Sequence, residues 1–524
     1  MTNYAQHLTP RSVPQTQPLV GMVPNDAGGY GYPVSDWTLL DRFLILGAEG
    51  GTYYTSEPVL TREVAQGVAR CLDADALRVV TRVVEISRDG RAAKNDPALF
   101  VLALALCHTA ARPHAYVALP LVARTGTHLF HLLAMTKALG RGWSRGLQTA
   151  VRAWYQAQSD VAYSVLKYPS RDGWSHRDVL RLAHVKPWDD ASTITLRYAA
   201  GKFAAEEPTW HETIDAVRRL HAGGVAETEV CALIQQYRLA REMIPSEWLT
   251  KPAVWHALLP HMGLTAIIRN LGTLSKLGVL APGSLTTRGV GQMLTDAERL
   301  RKARVHPAAL LLAMMTYRQG HGTRSAATWP VVPQILDALS EGFHAAFRAV
   351  EPTGLRTLVA VDTSGSMSAS ILGGTLSCWH AGVAMALATL ASEPQATVVS
   401  FDTVTRPTAL SPKQRLDDAL RSFPHATGGT DVAAPIRWAM AQRLPVDLFV
   451  LYTDEQTWAG PEHVMSALQA YRQMVGINAK LAVACMQASR TTVLDASDAG
   501  VLTLAGFDPT TPQAIGAFAR GFAQ

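Results

Sequence analysis

Apolar residues in the first two thirds of the chain recur at helical spacing. Leu39, Leu40, Phe43 and Leu44 follow Ser35-Asp36-Trp37, and Leu77, Val80, Val83 and Val84 form one stripe within Asp75–Ser87. Gln148–Gln156, Asp160–Tyr168, Trp255–Met262, Thr265–Leu274 and Pro307–Tyr317 carry the same period. Breakers stand between them: Gly50-Gly51, Gly140, Gly142, Pro169, Gly173, Pro187, Pro260 and Pro282. Residues 35–350 are therefore predicted to be helix after helix. A degenerate helical-repeat solenoid of HEAT type fits this pattern, and a compact bundle fits the same periodicity.

The pattern changes after Glu351-Pro352-Thr353-Gly354. Short apolar runs, Thr357–Asp362, Ala396–Phe401, Val446–Tyr452, Lys480–Cys485 and Val501–Leu504, read as strands. Helical stretches His380–Ala391, Pro461–Met474 and Pro512–Phe522 alternate with them. That order predicts an α/β, doubly wound, largely parallel sheet covered on both faces, with ligands gathered at the strand C-termini.

With 524 residues the chain is too long for a single core. Its longest apolar run, Pro97–Cys107, is too short to span a bilayer and reads as a buried helix. The polar, Pro/Gln-rich start lacks an apolar signal core. Cys71, Cys107, Cys231, Cys378 and Cys485 are odd in number, and no C-x-x-C pair exists, which excludes a disulfide scaffold and a Cys-based zinc site. A soluble cytoplasmic protein with no membrane contact is expected. Net charge is +6, unevenly spread: residues 1–350 hold 37 Lys and Arg against 28 Asp and Glu, whereas residues 351–524 hold 11 against 14. A basic first part points to a polyanionic partner, with plain solvated charge as the alternative.

The sharpest chemical signal is an oxygen-rich constellation. The first strand ends in Asp362-Thr-Ser364-Gly-Ser366, glycines bound Thr430 in His425-Ala-Thr-Gly-Gly-Thr430-Asp431, and the third strand ends in Thr453-Asp454-Glu455. Asp362, Ser364, Ser366, Thr430 and Asp454 offer two carboxylates and three hydroxyls, a set suited to one hard divalent cation such as Mg²⁺. The alternative is that Ser364 is a helix cap and Asp454 merely ends a strand. From Thr357 to Gln524 the sequence resembles a von Willebrand factor A (vWA) domain with a metal-ion-dependent adhesion site (MIDAS), and all five motif positions are filled. The resemblance implies protein binding at the metal rather than chemistry.

A second signal is the basic stretch Lys167-Tyr-Pro169-Ser-Arg171-Asp-Gly-Trp174-Ser175-His-Arg177-Asp178-Val-Leu-Arg181-Leu-Ala-His184. Ser175 and Asp178 form a capping-box pattern. Arg177, Arg181 and His184 stand at i, i+4 and i+7, within about 60° of one another on a helix. Val179, Leu180, Leu182 and Ala183 are expected to turn into the core. With Lys167 and Arg171 this makes a cationic turn suited to phosphates; a solvated helix face is the alternative.

A wider set of segments carries a further resemblance. Gly28-Gly29-Tyr30, Asp36-Trp37, Arg42–Tyr54, Gly90–Asn95, Arg124–Phe130, Gly173–Asp178, Ile267–Gly272, Arg299–Pro307 and Tyr317–Gly322 look like the TROVE module of Ro ribonucleoproteins, a family that also carries the vWA domain. Short loops and Ala-rich composition suggest a bacterial member. The resemblance implies a flexible segment over residues 1–26, a ring of HEAT-like repeats over residues 27–352 and the vWA domain over residues 353–524. It further implies a monomer that binds a Y-like noncoding RNA on its outer surface. Misfolded or precursor RNA would enter a central hole by a single-stranded 3′ end, and an exoribonuclease would be a partner in RNA quality control. Family RNA-contact positions fall on Lys167, Arg171 and His184, with Arg177 and Arg181 added from the helix face. Pro169-Ser170 departs from the family pattern between two of these cations. Arg299, Arg301, Lys302 and Arg304 are candidates for part of a basic lining of the hole, with an exposed charged helix face as the alternative.

Enzyme signatures are missing. Gly201-Lys202 is followed by Phe203, so there is no P-loop; neither G-x-S-x-G nor H-E-x-x-H occurs. A metal-dependent ribonuclease using Asp362 and Asp454 is the opposing hypothesis, although such a site would want more carboxylates and fewer hydroxyls.

Overall fold

The computed structural model describes residues 12–202, 211–322, 326–347, 350–371 and 374–521. Helices fill the first part, beginning with Asp36–Leu46, Glu57–Asp89 and Asp96–Cys107 and ending with Leu264–Lys276, Ala297–Lys302, Pro307–Arg318 and Pro333–Ala345. Many start on a side-chain cap: Ser35, Thr125, Ser144, Asp160, Asp189, Ser284 and Asp296 each accept from a backbone N–H three residues on. The predicted stripe over Asp75–Ser87 falls within Glu57–Asp89, which kinks at Asp75. Each helix packs mainly on its near neighbours in sequence. The stack then returns to its own start. Arg304 Nε donates to the Arg88 carbonyl (2.6 Å), and His306 Nε2 lies 3.2 Å from the Arg91 carbonyl.

Strands β1 (Val23–Pro24) and β2 (Tyr30–Pro33) pair antiparallel near the N-terminus, and a hairpin of β3 (Ser170–Arg171) and β4 (Trp174–Ser175) interrupts the helices. The C-terminal domain adds β5 (Thr357–Asp362), β6 (Ala396–Phe401), β7 (Thr405–Pro407), β8 (Leu448–Thr453), β9 (Lys480–Cys485), β10 (Thr491–Thr492) and β11 (Val501–Ala505). Six of them form one sheet in the order β11-β9-β8-β5-β6-β7, parallel except for β7. Every residue of β5 and β8 is buried, as expected of strands covered on both faces. Alternation divides them: Val359 and Val361 face helix Cys378–Ser392 and a core continuous with the helical part, while Leu358 and Ala360 face a separate core with helices Ala434–Ala441 and Val464–Val475.

The segment expected to be flexible over residues 1–26 is corrected for residues 12–26; residues 1–11 lie outside the described residues. Gln15 is fully buried. Its Nε2 donates to Asp431 Oδ1 and to the Glu462 carbonyl, both at 2.9 Å. Asn25 Nδ2 donates to the Thr457 carbonyl (2.7 Å), and β2 pairs with β10. At Gly29 a Cβ would stand 2.0 Å from the Thr457 oxygen, so glycine permits the approach. Polar side chains that would suit a solvated tail instead meet buried backbone groups.

The deepest tie between the two parts is Arg42. Its Nη2 donates to Glu455 Oε2 (2.6 Å) and Thr503 Oγ1 (2.8 Å), and its Nη1 to the carbonyls of Ser489 (2.8 Å) and Thr491 (3.1 Å). Both partners of the ion pair are at most 1% exposed. A second tie joins Arg91 to Asp508 at 2.7 Å, beside His306, whose ring meets Phe507 edge-on. Among the described residues no helix is long and apolar enough to cross a membrane.

Arg42→Ala would leave Glu455 charged and unpaired in the interior. It should destabilise the folded chain by about 3–5 kcal/mol, whereas replacing both residues with Met should cost much less. Denaturant unfolding of the single and double variants measures the difference.

Candidate metal centre and nucleic-acid interface

β5 and β8 lie side by side in the sheet, so their C-terminal ends bring Asp362 and Asp454 together. The Ser364 backbone N–H donates to Asp362 Oδ1 (2.8 Å), and the hydroxyls of Ser364 and Ser366 lie 3.2 Å apart. Thr453 Oγ1 donates to the other Asp362 oxygen (2.5 Å). The third stretch is drawn in by its backbone: Gly365 N–H donates to the Gly428 carbonyl (3.0 Å), and Trp458 and Ala459 N–H groups donate to the Thr430 carbonyl. All five expected residues are buried, none more than 3% exposed.

Burial disfavours the charge of both carboxylates. Burial, and then the charge of Asp454, pushes the Asp362 carboxyl well above the usual carboxylate range; burial raises Asp454 too, against a hydrogen bond from Ser366. Asp454 Oδ2 is buried with no hydrogen-bond partner among the described residues. An orphaned carboxylate oxygen beside a second carboxylate and several hydroxyls fits a hard cation. Among the described residues there is no cluster of three or more His, Cys, Asp or Glu, so any metal here must rely on hydroxyls. Glu455, the neighbouring carboxylate, takes no part. Its left-handed backbone (φ 62°) turns it away to Arg42, and Thr492 Oγ1 donates to its other oxygen. Thr453 and Arg42 escaped the sequence reading because the contacts that matter span 91 and 413 residues.

The basic stretch is broken into pieces. Lys167 ends helix Val161–Lys167, half-buried, with its ammonium 5.3–5.4 Å from the ring centres of Tyr163 and Tyr168. Arg171 is exposed on β3, not on a helix end, and reaches a cleft also lined by Glu49, Lys94, Asp96 and His131. The expected capping box is present: Ser175 Oγ accepts from Asp178 N–H, and Asp178 Oδ2 accepts from Ser175 N–H. Arg177 and Arg181 are exposed on helix His176–Ala183, and the nearby Asp178 carboxylate is committed to that cap. Two expectations are corrected. His184 lies past the helix end in the left-handed region (φ 52°), so helical spacing does not aim its side chain. Leu182 is 36% exposed, not core, because the buried stripe of this helix runs through His176, Val179, Leu180 and Ala183; Gln148 Nε2 and Arg152 Nε of helix Arg145–Gln156 donate to the carbonyls of Leu182 and Ala183.

The Arg299–Arg304 cluster also divides. Arg301 and Lys302 pair with Glu298, exposed. Arg299 lines a shallow depression with Asp296 and Glu298. Only Arg304 reaches a cavity of about 530 Å³, where it meets Lys94, Arg269 and Lys276 between helices Leu264–Lys276 and Pro307–Arg318 and the residues Ile371 and Leu376. Lys94 and Arg269 sit inside segments that carried the family resemblance; nothing in their spacing marked them as neighbours.

A helical stack tied at its start and end to a doubly wound domain with a D-x-S-x-S loop defines a class, the TROVE–vWA proteins. The TROVE domain model matches residues 23–317 and the Ro60 vWA domain model residues 356–519. The RNA-binding protein RO60 of Deinococcus radiodurans is 40% identical over 99% of this chain and all of its own length. That of Caenorhabditis elegans is 32% identical over 96% of this chain and 90% of its own. The crystal structure of the Deinococcus radiodurans RO (RSR) protein matches with a TM-score of 0.68 at 37% identity, covering 93% of this chain and all of that one. The chain belongs to the Ro60 family.

The hairpin bearing Arg171 is pinned by His131, whose Nδ1 lies 2.6 Å from Asp172 and whose Nε2 lies 3.2 Å from Asp96. The hydrogen bond to Asp96, against burial, raises the His131 pKa. A raised folded value means that this stabilisation is complete below the unfolded pKa of about 6.5 and is lost as pH rises through the folded value. Thermal unfolding should show a stability loss on that alkaline limb, and His131→Gln should flatten it.

Proposed function

We propose that the chain is a non-catalytic RNA-binding protein of a Ro-type ribonucleoprotein. The observation that carries this reading is its full-length similarity to two RNA-binding RO60 proteins, joined to a basic helical part whose Arg177 and Arg181 stand exposed with their nearest carboxylate committed elsewhere. Lys167, Arg171, Arg177, Arg181 and His184 contact the backbone of a structured, Y-like RNA on the outer surface. Changing Lys167 and Arg171 together to Ala should make the slope of log affinity against log salt shallower by about one to two, since each neutralised phosphate contributes roughly 0.7–0.9. Filter binding across a salt series reads this directly; an unchanged slope removes the site.

Misfolded or precursor RNA binds separately, by a single-stranded 3′ end passing through the closed helical stack, and an exoribonuclease acts on what is held there. Arg304, Arg269, Lys276 and Lys94 around one cavity support this, because a single strand can follow a cationic groove that a duplex cannot enter. Backbone contacts carry no base information, so sequence preference is slight. In competition between RNAs identical except for a single-stranded or a base-paired 3′ end, the first should win. Equal affinities, or tight binding of a circular RNA, rule threading out.

Asp362, Ser364, Ser366, Thr430 and Asp454, directly or through water, hold one Mg²⁺ or similar ion that engages a protein ligand. When bound, the ion supplies a Lewis-acidic point for a carboxylate. The chain's own residues fix its place, neutralise it in part and keep water away. With three hydroxyls to two carboxylates, the donor set favours holding a ligand over activating a nucleophile. The protein acts as a cytoplasmic monomer.

A further inference from the structure

Arg171 stands on a hairpin too small to hold itself in place. β3 and β4 have two residues each, joined through Asp172 and Gly173. Both turn residues are left-handed (φ 51° and 76°), as a two-residue hairpin requires, and Asp-Gly is a pair that accepts this. An isolated hairpin is marginal in water, so its seating depends on what it touches. On β4, Trp174 lies 6.2 Å from the Trp143 ring and 5.8 Å from the Lys137 ammonium, and Ser175 caps the next helix. On β3, Ser170 and Arg171 are exposed, and Pro169 before them has no N–H to give. The tether on that side runs through the turn. One oxygen of Asp172 lies 2.6 Å from His131 Nδ1, and the other lies 3.4 Å from Arg171 Nε. His131 Nε2 lies 3.2 Å from Asp96, the first residue of helix Asp96–Cys107. Asp96, His131, Asp172 and Arg171 thus form a relay from the helical frame to a proposed phosphate contact.

The relay depends on one proton. A charged imidazole has two N–H donors and serves both carboxylates, whereas a neutral one has a single donor and serves only one. With His131 charged, the two carboxylates and two cations of the relay balance. Without that proton the relay is net negative, and Asp172 turns to Arg171, its other basic partner. The remaining charged groups around His131 are engaged elsewhere. His128, on the same helix, is held neutral by burial and by Arg124, its pKa lowered to about 4. Across the cleft Lys94 pairs with Glu49, and Glu57 accepts from the Gly50 N–H.

We propose that His131 is a positioning residue of the outer RNA surface: protonated, it ties Asp172 to Asp96, seats the hairpin and leaves Arg171 to a phosphate, and on losing its proton it releases Asp172 to Arg171 and withdraws that contact. The inference rests on reading the Lys167–His184 stretch as an RNA surface. The hydrogen bond to Asp96 holds the folded pKa of His131 above the ordinary value of about 6.5. RNA affinity is therefore greatest below that folded value and falls as pH rises through it.

The test uses the full chain and a radiolabelled stem–loop RNA with base-paired ends, which has no single strand to thread. Every protein carries His184→Gln, so that no other histidine among the proposed contacts titrates. Filter binding at fixed ionic strength runs from about pH 6 to about pH 9. With His131 in place, affinity should fall about fivefold across this range, the loss expected if the seated hairpin drops to roughly one molecule in five. His131→Gln should give a flat profile at the weak, alkaline level. Asp172→Asn suits the same left-handed turn position and still offers His131 an acceptor. It should give a flat profile at the tight, acidic level, because no carboxylate competes for Arg171. A residue that only stabilised the fold would not send two flat profiles to opposite levels. If His131 attracted phosphates by its own charge, Asp172→Asn would keep the fall, and the positioning role would be overturned; a fall that survives in His131→Gln overturns it too. Arg171→Ala separates this inference from the reading beneath it. If that variant binds as tightly as its parent at about pH 6, the outer site itself is wrong. If it binds more weakly while His131→Gln or Asp172→Asn keeps the fall, the site stands and the relay is overturned.

Discussion

Arg42 carries a full positive charge where there is no water, and much of the molecule is arranged around that fact. A lone guanidinium in a protein interior costs several kcal/mol in lost hydration. Here it is met by one carboxylate, one hydroxyl and two backbone carbonyls, all from the C-terminal domain. The helical part cannot supply those partners itself, so it is complete only when docked. Glu455 accepts a left-handed backbone to reach the pair, and that twist fixes the direction of the loop that starts at Asp454. A contact between domains thus sets the geometry of a site that looks, in sequence, like the property of one domain.

The same economy runs through the N-terminal segment and the closing junction. Gln15, Asn25 and Asp26 satisfy groups in residues 431–462, and Arg91 meets Asp508 beside the buried His306. Burial lowers the His306 pKa to about 4, so the ring is neutral there and packs as an aromatic against Phe507. One charged pair and one neutral histidine side by side hold three stretches of chain that are far apart in sequence.

What was legible in the sequence follows from the range of the forces involved. Strands β5, β6 and β9 have the limits that their apolar runs predict, because the central residues of a strand covered on both faces must be apolar. The meeting of Asp362 with Asp454 was legible because a doubly wound topology fixes where the ends of neighbouring strands lie. The cap of helix His176–Ala183 was legible because it spans three residues. By contrast, His184 was misaimed because helical spacing was extended one residue past the helix end, onto a residue in the left-handed region. The ordered placement of residues 12–26 was missed because a segment rich in Pro and Gln shows no periodicity of its own. Its order comes from partners more than 400 residues away. The cavity cations belong to the same class: Arg269 and Lys276 share helix Leu264–Lys276, and only the closing of the stack brings Lys94 to them.

Arg42 also limits how the two domains can change through descent. If a chimera took its C-terminal domain from another source, it would need an acid at the position of Glu455, hydroxyls where Thr492 and Thr503 stand, and a loop following β9 that offers the carbonyls of residues 489 and 491. Without all of them a buried cation would face a foreign surface. Modules that look interchangeable on the page are, at this one residue, a matched set, and they can be exchanged between lineages only together.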